Sequence, residues 1–466
     1  MNKRSTIFGA AIFLTLLLSV AGRAETFFAN LQGAQEVPPV ATSATGYARV
    51  SVNPTTLAYS YTVVFTGLSS NQTLGHIHAG ATGGIGTTAS PVITFTVVGG
   101  TSGTITGSGT MTAQNLVDIR AHRAYVNIHS ANFGGGEVRG QLGIKRPVDF
   151  DGDGRQDFSI LRFPAGACPG PPRPITYWNQ NTTAGSQAQN WGEACTDFPT
   201  PGDYDGDGKD DLALFRNSGV AGADTFYLIL RSSDNTFQGV RWGVTGDQAI
   251  ARDYDGDGIT DMAVFRRGAA AADQTFWYIR QSAAAFVQRS VAWGSTGNGT
   301  STFDTPVPGD YDGDGKFDIA VYRFGLSPAN NFIILRSSDG GGQFQAFGNF
   351  NTDYIVPGDY DGDGKYDLAV ARLGATLTSP IVWWILQSST GTTRTATFGR
   401  GNGAVGSDIP VQGDYDGDAR TDIAVYRPGA TGAQSNFWVL RSFDNIAQVT
   451  PWGLGGDFAV NTFDVR

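Results

Sequence analysis

From residue 149 onward the chain repeats one order of apolar and polar positions. A short alternating run such as LALFR (212–216) comes first, followed by an aromatic run such as TFYLILRSSD (225–234), TFWYIRQS (275–282) or NFWVLRS (436–442). A third run ends in an aromatic residue before glycine, at Trp191, Trp242, Trp293, Phe347, Phe398 and Trp452. A fourth short segment, such as DTPVPGD (304–310), leads back to the start. Period-2 alternation bounded by Gly, Pro, Asp and Asn predicts strands. Four short strands in about 50 residues make a propeller blade, whose sheet buries its faces only by stacking on neighbours. Six repeats therefore predict an all-β C-terminal region, a six-bladed propeller of four-stranded blades over residues 144–466. The first repeat lacks the usual lead-in, and the C-terminal WGLGGDFAVNTFDVR (452–466) supplies one, so the last strand is expected to complete the first blade. Residues 25–143 alternate differently, as in GYARVSV (46–52) and LAYSYTVVFTGL (57–68), and form a separate β domain. Sustained apolar character appears at the N-terminus, where Lys3 and Arg4 precede the run Ile7–Ala21 and small residues follow at Gly22 and Ala24. This is the order of a secretory signal peptide over residues 1–24, and the run is short for a membrane span.

Each propeller repeat opens on an aspartate phrase, as in DYDGDGKDDLALFR (203–216). Its carboxylates fall at positions 1, 3, 5 and 9. The six sets are Asp149, Asp151, Asp153 and Asp157; Asp203, Asp205, Asp207 and Asp211; Asp253, Asp255, Asp257 and Asp261. Then come Asp310, Asp312, Asp314 and Asp318; Asp359, Asp361, Asp363 and Asp367; and Asp414, Asp416, Asp418 and Asp422. Four carboxylates this close repel one another unless a cation neutralises them, and Ca²⁺ accepts many oxygen ligands in flexible geometry, with the position-7 carbonyl adding one. An EF-hand is excluded: it needs glutamate at position 12, where this chain has Ile160, Leu214, Val264, Val321, Val370 and Val425. Turn chemistry alone explains glycine and one or two aspartates, but not position 9 in every copy. About six Ca²⁺ sites are expected, the sixth the weakest because Ala419 replaces the position-6 glycine.

These phrases resemble the FG-GAP/VCBS repeats of integrin α-subunit propellers and of many secreted bacterial proteins. The resemblance covers roughly residues 145–466 and implies a calcium-stapled β-propeller, usually a binding or adhesion platform. In the N-terminal region, LQGAQEVPPV (31–40), GHIHAG (75–80) and AYVNIHSANFGGGEVRGQLG (124–143) resemble the CHRD domain first noted in chordin. That resemblance implies an all-β, sandwich-like, usually extracellular domain. All four histidines lie here, at His76, His78, His122 and His129. His76 and His78 share a strand face and His129 can pair beside them, so Zn or Cu ligation stands as an alternative to structural hydrogen bonding.

Net charge is −10, and loss of Lys3, Arg4 and Arg23 with the signal makes it −13, which six Ca²⁺ would bring near neutrality. Without basic clusters this argues against nucleic acid and anionic membranes as partners. Cys168 and Cys195 are the only cysteines, and in an exported chain they are expected to pair. An arginine follows position 9 by five residues in every copy, at Arg162, Arg216, Arg266, Arg323, Arg372 and Arg427. It either pairs structurally, with loop carboxylates or aromatics, or rings the channel to grip an anionic ligand. The reading is an exported, monomeric, calcium-binding protein, secreted, periplasmic or at the cell surface. Its propeller binds an extracellular carbohydrate or protein. The alternative is a secreted enzyme, either a polysaccharide hydrolase or lyase on the propeller or a metal-dependent oxidoreductase in the histidine domain; no Ser/His/Asp order appears.

Overall fold

The computed structural model describes residues 25–80, 87–120, 123–143, 148–152, 154–164, 173–181, 185–282, 287–297, 302–325, 331–349 and 352–460. The expected signal peptide, Asp153, Cys168 and His122 lie outside the described residues.

Among the described residues the N-terminal region holds eight strands and one α-helix. The strands are β1 (Glu25–Gln32), β2 (Thr45–Val52), β3 (Ala58–Thr66), β4 (Gln72–Ala79), β5 (Pro91–Thr94), β6 (Gly103–Thr110), β7 (Ala124–Ser130) and β8 (Val138–Gln141), and the helix is α1 (Ala113–Arg120). They make one sheet in the order β5-β4-β7-β8-β1-β2-β3-β6, so the sandwich-like core is enclosed by a single sheet that curls on itself. Alternation sets which side chains enter: Ala48, Val50 and Val52 from β2 and Tyr61, Val63 and Phe65 from β3 are buried. They meet Ile77 from β4 and Val126 and Ile128 from β7, with Leu116 and Ile119 of α1 closing the core.

Beyond it stand six four-stranded sheets, each a blade with antiparallel pairing. In the second blade, strands Asp197–Pro199, Leu212–Arg216, Asp224–Leu230 and Phe237–Val244 run in that order. In this blade the aspartate phrase joins the first strand to the second, and the next four blades repeat this order. The first blade takes its first strand from the chain's end: Phe458 and Ala459 pair with Leu161 and Ile160. The ring is closed by strand exchange, as the displaced lead-in predicted.

Blade faces pack through the apolar residues of the second strands. Ile160, Leu214, Val264, Val321, Val370 and Val425, one per blade, are fully buried. Burial of such a side chain contributes roughly 1.5–3 kcal/mol, which is why position 12 excludes a carboxylate. Polar tips of aromatic residues tie neighbouring blades. Tyr227 donates its hydroxyl to the Ala263 carbonyl at 2.6 Å, Trp293 Nε1 donates to Ile333 O at 3.0 Å, and Trp452 Nε1 donates to Trp178 O at 3.0 Å across the closure.

The two regions touch through the aspartate loops. Thr26 Oγ1 on β1 donates to Asp257 O at 2.9 Å, and Arg49 Nη1 on β2 donates to Gly206 O at 2.6 Å. Gln32 Nε2 donates to Asp416 O at 2.9 Å and Gln35 Nε2 to Gly417 O at 2.8 Å. Every acceptor is a backbone carbonyl at position 3, 4 or 5 of a loop.

Candidate metal centres

The second loop shows how the carboxylates are held. Asp203, at position 1, accepts the Gly206 N–H on Oδ1 at 2.6 Å and the Gly208 N–H on Oδ2 at 2.8 Å. Both glycines have positive φ, 81° and 95°, so the chain wraps the carboxylate. Asp211, at position 9, accepts N–H from Tyr204 at 2.9 Å and from Ser232 at 2.7 Å. Asp205, at position 3, accepts the Ser233 hydroxyl at 2.6 Å. One oxygen from each of positions 1, 3 and 9 lies within 4.8 Å of the others, as it does in the first, third and fourth loops. Position 5 is oriented differently: Asp207 Oδ1 accepts the Lys209 N–H at 2.9 Å and the Ser232 hydroxyl at 3.0 Å.

These loops are charged concavities with unused acceptors. In the fourth and fifth loops, Oδ1 of Asp312 and of Asp361 is buried without a hydrogen-bond donor. Burial first, and neighbouring aspartates behind it, pushes Asp211, Asp318 and Asp367 up to about 7 and Asp261 up to about 8. Asp310 and Asp422 are raised further for the same reasons. A hard divalent cation fits such a set, with all-oxygen donors and three converging carboxylates, although in the second loop Arg231 Nε also reaches Asp205 at 3.3 Å. When bound, Ca²⁺ would supply the positive charge that lets these acids ionise. The protein's share is to hold positions 1, 3 and 9 in place by backbone N–H groups.

The loops also form a closed belt. The position-8 N–H of each loop donates to the position-1 carbonyl of the preceding loop. The pairs are Asp210 to Asp149 at 2.7 Å, Thr260 to Asp203 at 2.6 Å, Phe317 to Asp253 at 3.0 Å, Tyr366 to Asp310 at 2.7 Å, Thr421 to Asp359 at 2.7 Å and Gln156 to Asp414 at 2.7 Å. A displacement of one loop is therefore transmitted to the next.

The six repeated arginines are structural, but their partners are not the loop aspartates. Arg216 meets Asp197 with both Nε and Nη2 at 2.7 Å, and Arg266, Arg323, Arg372 and Arg427 meet Asp247, Asp304, Asp353 and Asp408 in the same bidentate way. In the first blade Arg162 reaches Asp457 at 2.8 Å, so closure repeats the pair across the chain's ends. The second oxygen of each aspartate also accepts the N–H that follows the aromatic–glycine step, as in Val244 to Asp247 at 2.8 Å and Leu454 to Asp457 at 2.7 Å. That step needs glycine: at Gly243, with φ of 92°, a Cβ would sit 2.9 Å from the Asp247 carboxylate. The arginines' charge is thus spent inside the blades, which removes the ring that would grip an anion.

These six aspartates, and the serines Ser232, Ser282, Ser337, Ser388 and Ser442 that cap position 9, were not singled out from the sequence. Two signals were present: an aspartate 19 residues before five of the arginines, and Arg-Ser or Gln-Ser ending the aromatic run.

In the N-terminal region the structure brings His76, His78 and His129 together, with one ring nitrogen of each within 4.8 Å of the others. Cys195 accepts a long hydrogen bond from Arg173 Nη2 at 3.4 Å; its expected partner, Cys168, lies outside the described residues. The assembly is an eight-stranded sheet domain docked on a six-bladed propeller that carries an acidic loop in every blade. Comparison with known families agrees. Residues 27–142 match the CHRD domain, and residues 149–214, 253–321 and 359–425 match the FG-GAP-like repeat, so the chain carries a CHRD domain followed by FG-GAP-like repeats. A solved structure of an arginine-substituted mutant of AofleA from Arthrobotrys oligospora is similar over 61% of this chain and 81% of its own, at 12% identity and a TM-score of 0.42. No curated protein sequence gives a significant match to this chain.

Proposed function

We propose that this is an exported, calcium-stabilised binding protein, with a signal peptide at 1–24, a CHRD domain at 25–143 and a propeller at 144–466. The observation that carries the reading is the recurrence of converging carboxylates at positions 1, 3 and 9, seen in the first four loops, at the belt that joins the blades. Such loops support a scaffold, because they sit between strands and their carboxylates are committed to backbone N–H groups. Asp149, Asp203, Asp253, Asp310, Asp359 and Asp414 hold position 1 in this scheme. In the exported chain Cys168 and Cys195 pair, which closes the largest insertion of the first repeat.

The ligand platform is the mouth of the central channel. A cavity of 550 Å³ there is lined from all six blades and includes Phe198, Gln248, Arg252, Arg267 and Gln412. Arg252 breaks the repeat: the matching bridge position holds Gly202, Gly309, Gly358 and Gly413 in four other blades. Arg267 lies over Phe303 at 5.4 Å and donates to the Asp304 carbonyl at 3.3 Å, outside the ring of paired arginines. Guanidinium groups beside aromatic rings suit a carbohydrate or a protein segment bearing carboxylates. No helix among the described residues is long and apolar enough to cross a membrane. A glycan array read with and without Ca²⁺ tests this function: a ligand retained with Ca²⁺ and lost from an R252A/R267A double variant is expected. Turnover of a polysaccharide panel would replace the binding reading with the enzymatic one.

A further inference from the structure

We propose that His76, His78 and His129 form a second kind of metal site, for one first-row transition ion of the Zn²⁺ or Cu²⁺ class, independent of the aspartate loops. Strands β4 and β7 are adjacent and antiparallel, with Leu74 opposite His129, His76 opposite Asn127 and His78 opposite Tyr125. That register places the three imidazoles on one face, His76 and His78 two apart on one strand and His129 diagonal to His76.

Their hydrogen bonds fix which nitrogens face inward. His129 Nδ1 lies 3.0 Å from the Gly134 carbonyl and His78 Nδ1 lies 2.8 Å from the Ala89 carbonyl. A carbonyl only accepts, so the neutral His129 ring carries its proton on Nδ1 and presents Nε2 as a lone pair, whereas both nitrogens of His78 face an oxygen acceptor. A backbone carbonyl holding Nδ1–H is the usual support of a metal-binding histidine, because it locks tautomer and ring orientation. His129 Nε2 faces His76 Nδ1 at 3.0 Å, a separation close to that of two ligands on one ion. His78 Nε2 lies 3.1 Å from Asn127 Oδ1, and turning that amide over or aside leaves Nε2 as the lone pair an ion needs. The His78 ring is itself clamped by stacking on Tyr125, with centroids 4.5 Å apart and planes at 6°.

Charge favours the same use. Burial first, and for His76 its two histidine neighbours as well, disfavours the charged form of all three rings. Behind Asn127 lies the Glu36 carboxyl, 6% exposed, its Oε1 buried without a hydrogen-bond partner, and raised to about 7 by that burial. His76 is only half-buried and gives an ion its way in. Neutral imidazoles without acidic first ligands select Zn²⁺ or Cu²⁺ over Ca²⁺ or Mg²⁺. Three protein ligands leave a further position for water or an exogenous donor.

The test uses the full chain, stripped of metal and then dialysed against Zn²⁺ or Cu²⁺ in excess Ca²⁺, which keeps the aspartate loops occupied. One equivalent of tightly held transition metal is expected, and the Cu²⁺ form should show nitrogen superhyperfine splitting from imidazole in its EPR spectrum. His129→Ala and His76→Gln should each lose the equivalent while keeping the Ca²⁺-dependent melting transition. A stoichiometry near zero in the unmodified chain overturns the proposal. So does a Cu²⁺ spectrum without nitrogen coupling, and neither result depends on a variant folding.

Discussion

At the scale of single residues, the sixth loop shows what the others require. Ala419 takes φ of 67° where the other loops place glycine, a left-handed conformation that costs an L-residue about 1–2 kcal/mol. Next to it Arg420 pairs with the position-5 carboxylate of Asp418 at 2.7 Å, so a side-chain cation competes inside the loop. Phe443 stands where the second, fourth and fifth copies have a second serine, leaving Asp416 a backbone N–H at 3.2 Å in place of a hydroxyl. Ala419→Gly is therefore expected to raise stability by about 1 kcal/mol and to tighten the weakest Ca²⁺ site, read by chemical melts and calcium titration. The Arg162–Asp457 pair bridges the ring closure, with the carboxylate buried and the guanidinium about one-third exposed. Removing it by Arg162→Ala leaves a buried aspartate, and a loss of about 2 kcal/mol is expected, between the limits for exposed and buried pairs. An unchanged urea midpoint would show that closure does not depend on that pair.

At the scale of elements, each loop behaves as a titrating switch on blade stability. With Asp211, Asp318 and Asp367 raised to about 7, the folded chain binds more protons than the unfolded chain between about pH 4 and pH 7. Without divalent ions, stability should therefore fall as pH rises from 5 to 8. Saturating Ca²⁺ should flatten that slope, since the bound ion favours the ionised form; chelated melts that gain stability over this range would contradict it. The loops and blades were legible in the sequence because each is written six times, and a repeated carboxylate at position 9 has no use in a plain turn. The aspartate clamps were less so. Asp197 and Arg216 sit on either side of a loop, in a lead-in that reads as the tail of the preceding repeat. Strand exchange at Asp457 hides the pattern further. Histidine convergence was half legible: His76 and His78 share a face by alternation, but the β4–β7 register that brings His129 beside them is a long-range pairing that no local pattern encodes.

At the scale of the whole molecule, the belt of loop-to-loop hydrogen bonds and the docking of the N-terminal sheet depend on the same backbone. Thr26, Gln32, Gln35 and Arg49 donate to loop carbonyls whose positions follow from how the loops are wound. Nothing in the sequence marked these residues, which read as the polar face of ordinary strands; their acceptors are carbonyls, which carry no side-chain signature. Chelation is expected to loosen this docking before the blades unfold, seen as an increase in radius of gyration by small-angle scattering that Ca²⁺ reverses. An unchanged radius in EDTA would place the docking outside the control of the loops.

The most direct measurement of the central claim, that divalent ions at the aspartate loops hold the propeller together, is tryptophan-fluorescence melting of the full chain in EDTA and then in excess Ca²⁺. The account predicts a large, reversible rise in melting temperature on adding Ca²⁺, with no comparable rise from monovalent salt of equal ionic strength. A melting curve that is the same in EDTA and in Ca²⁺ would contradict it.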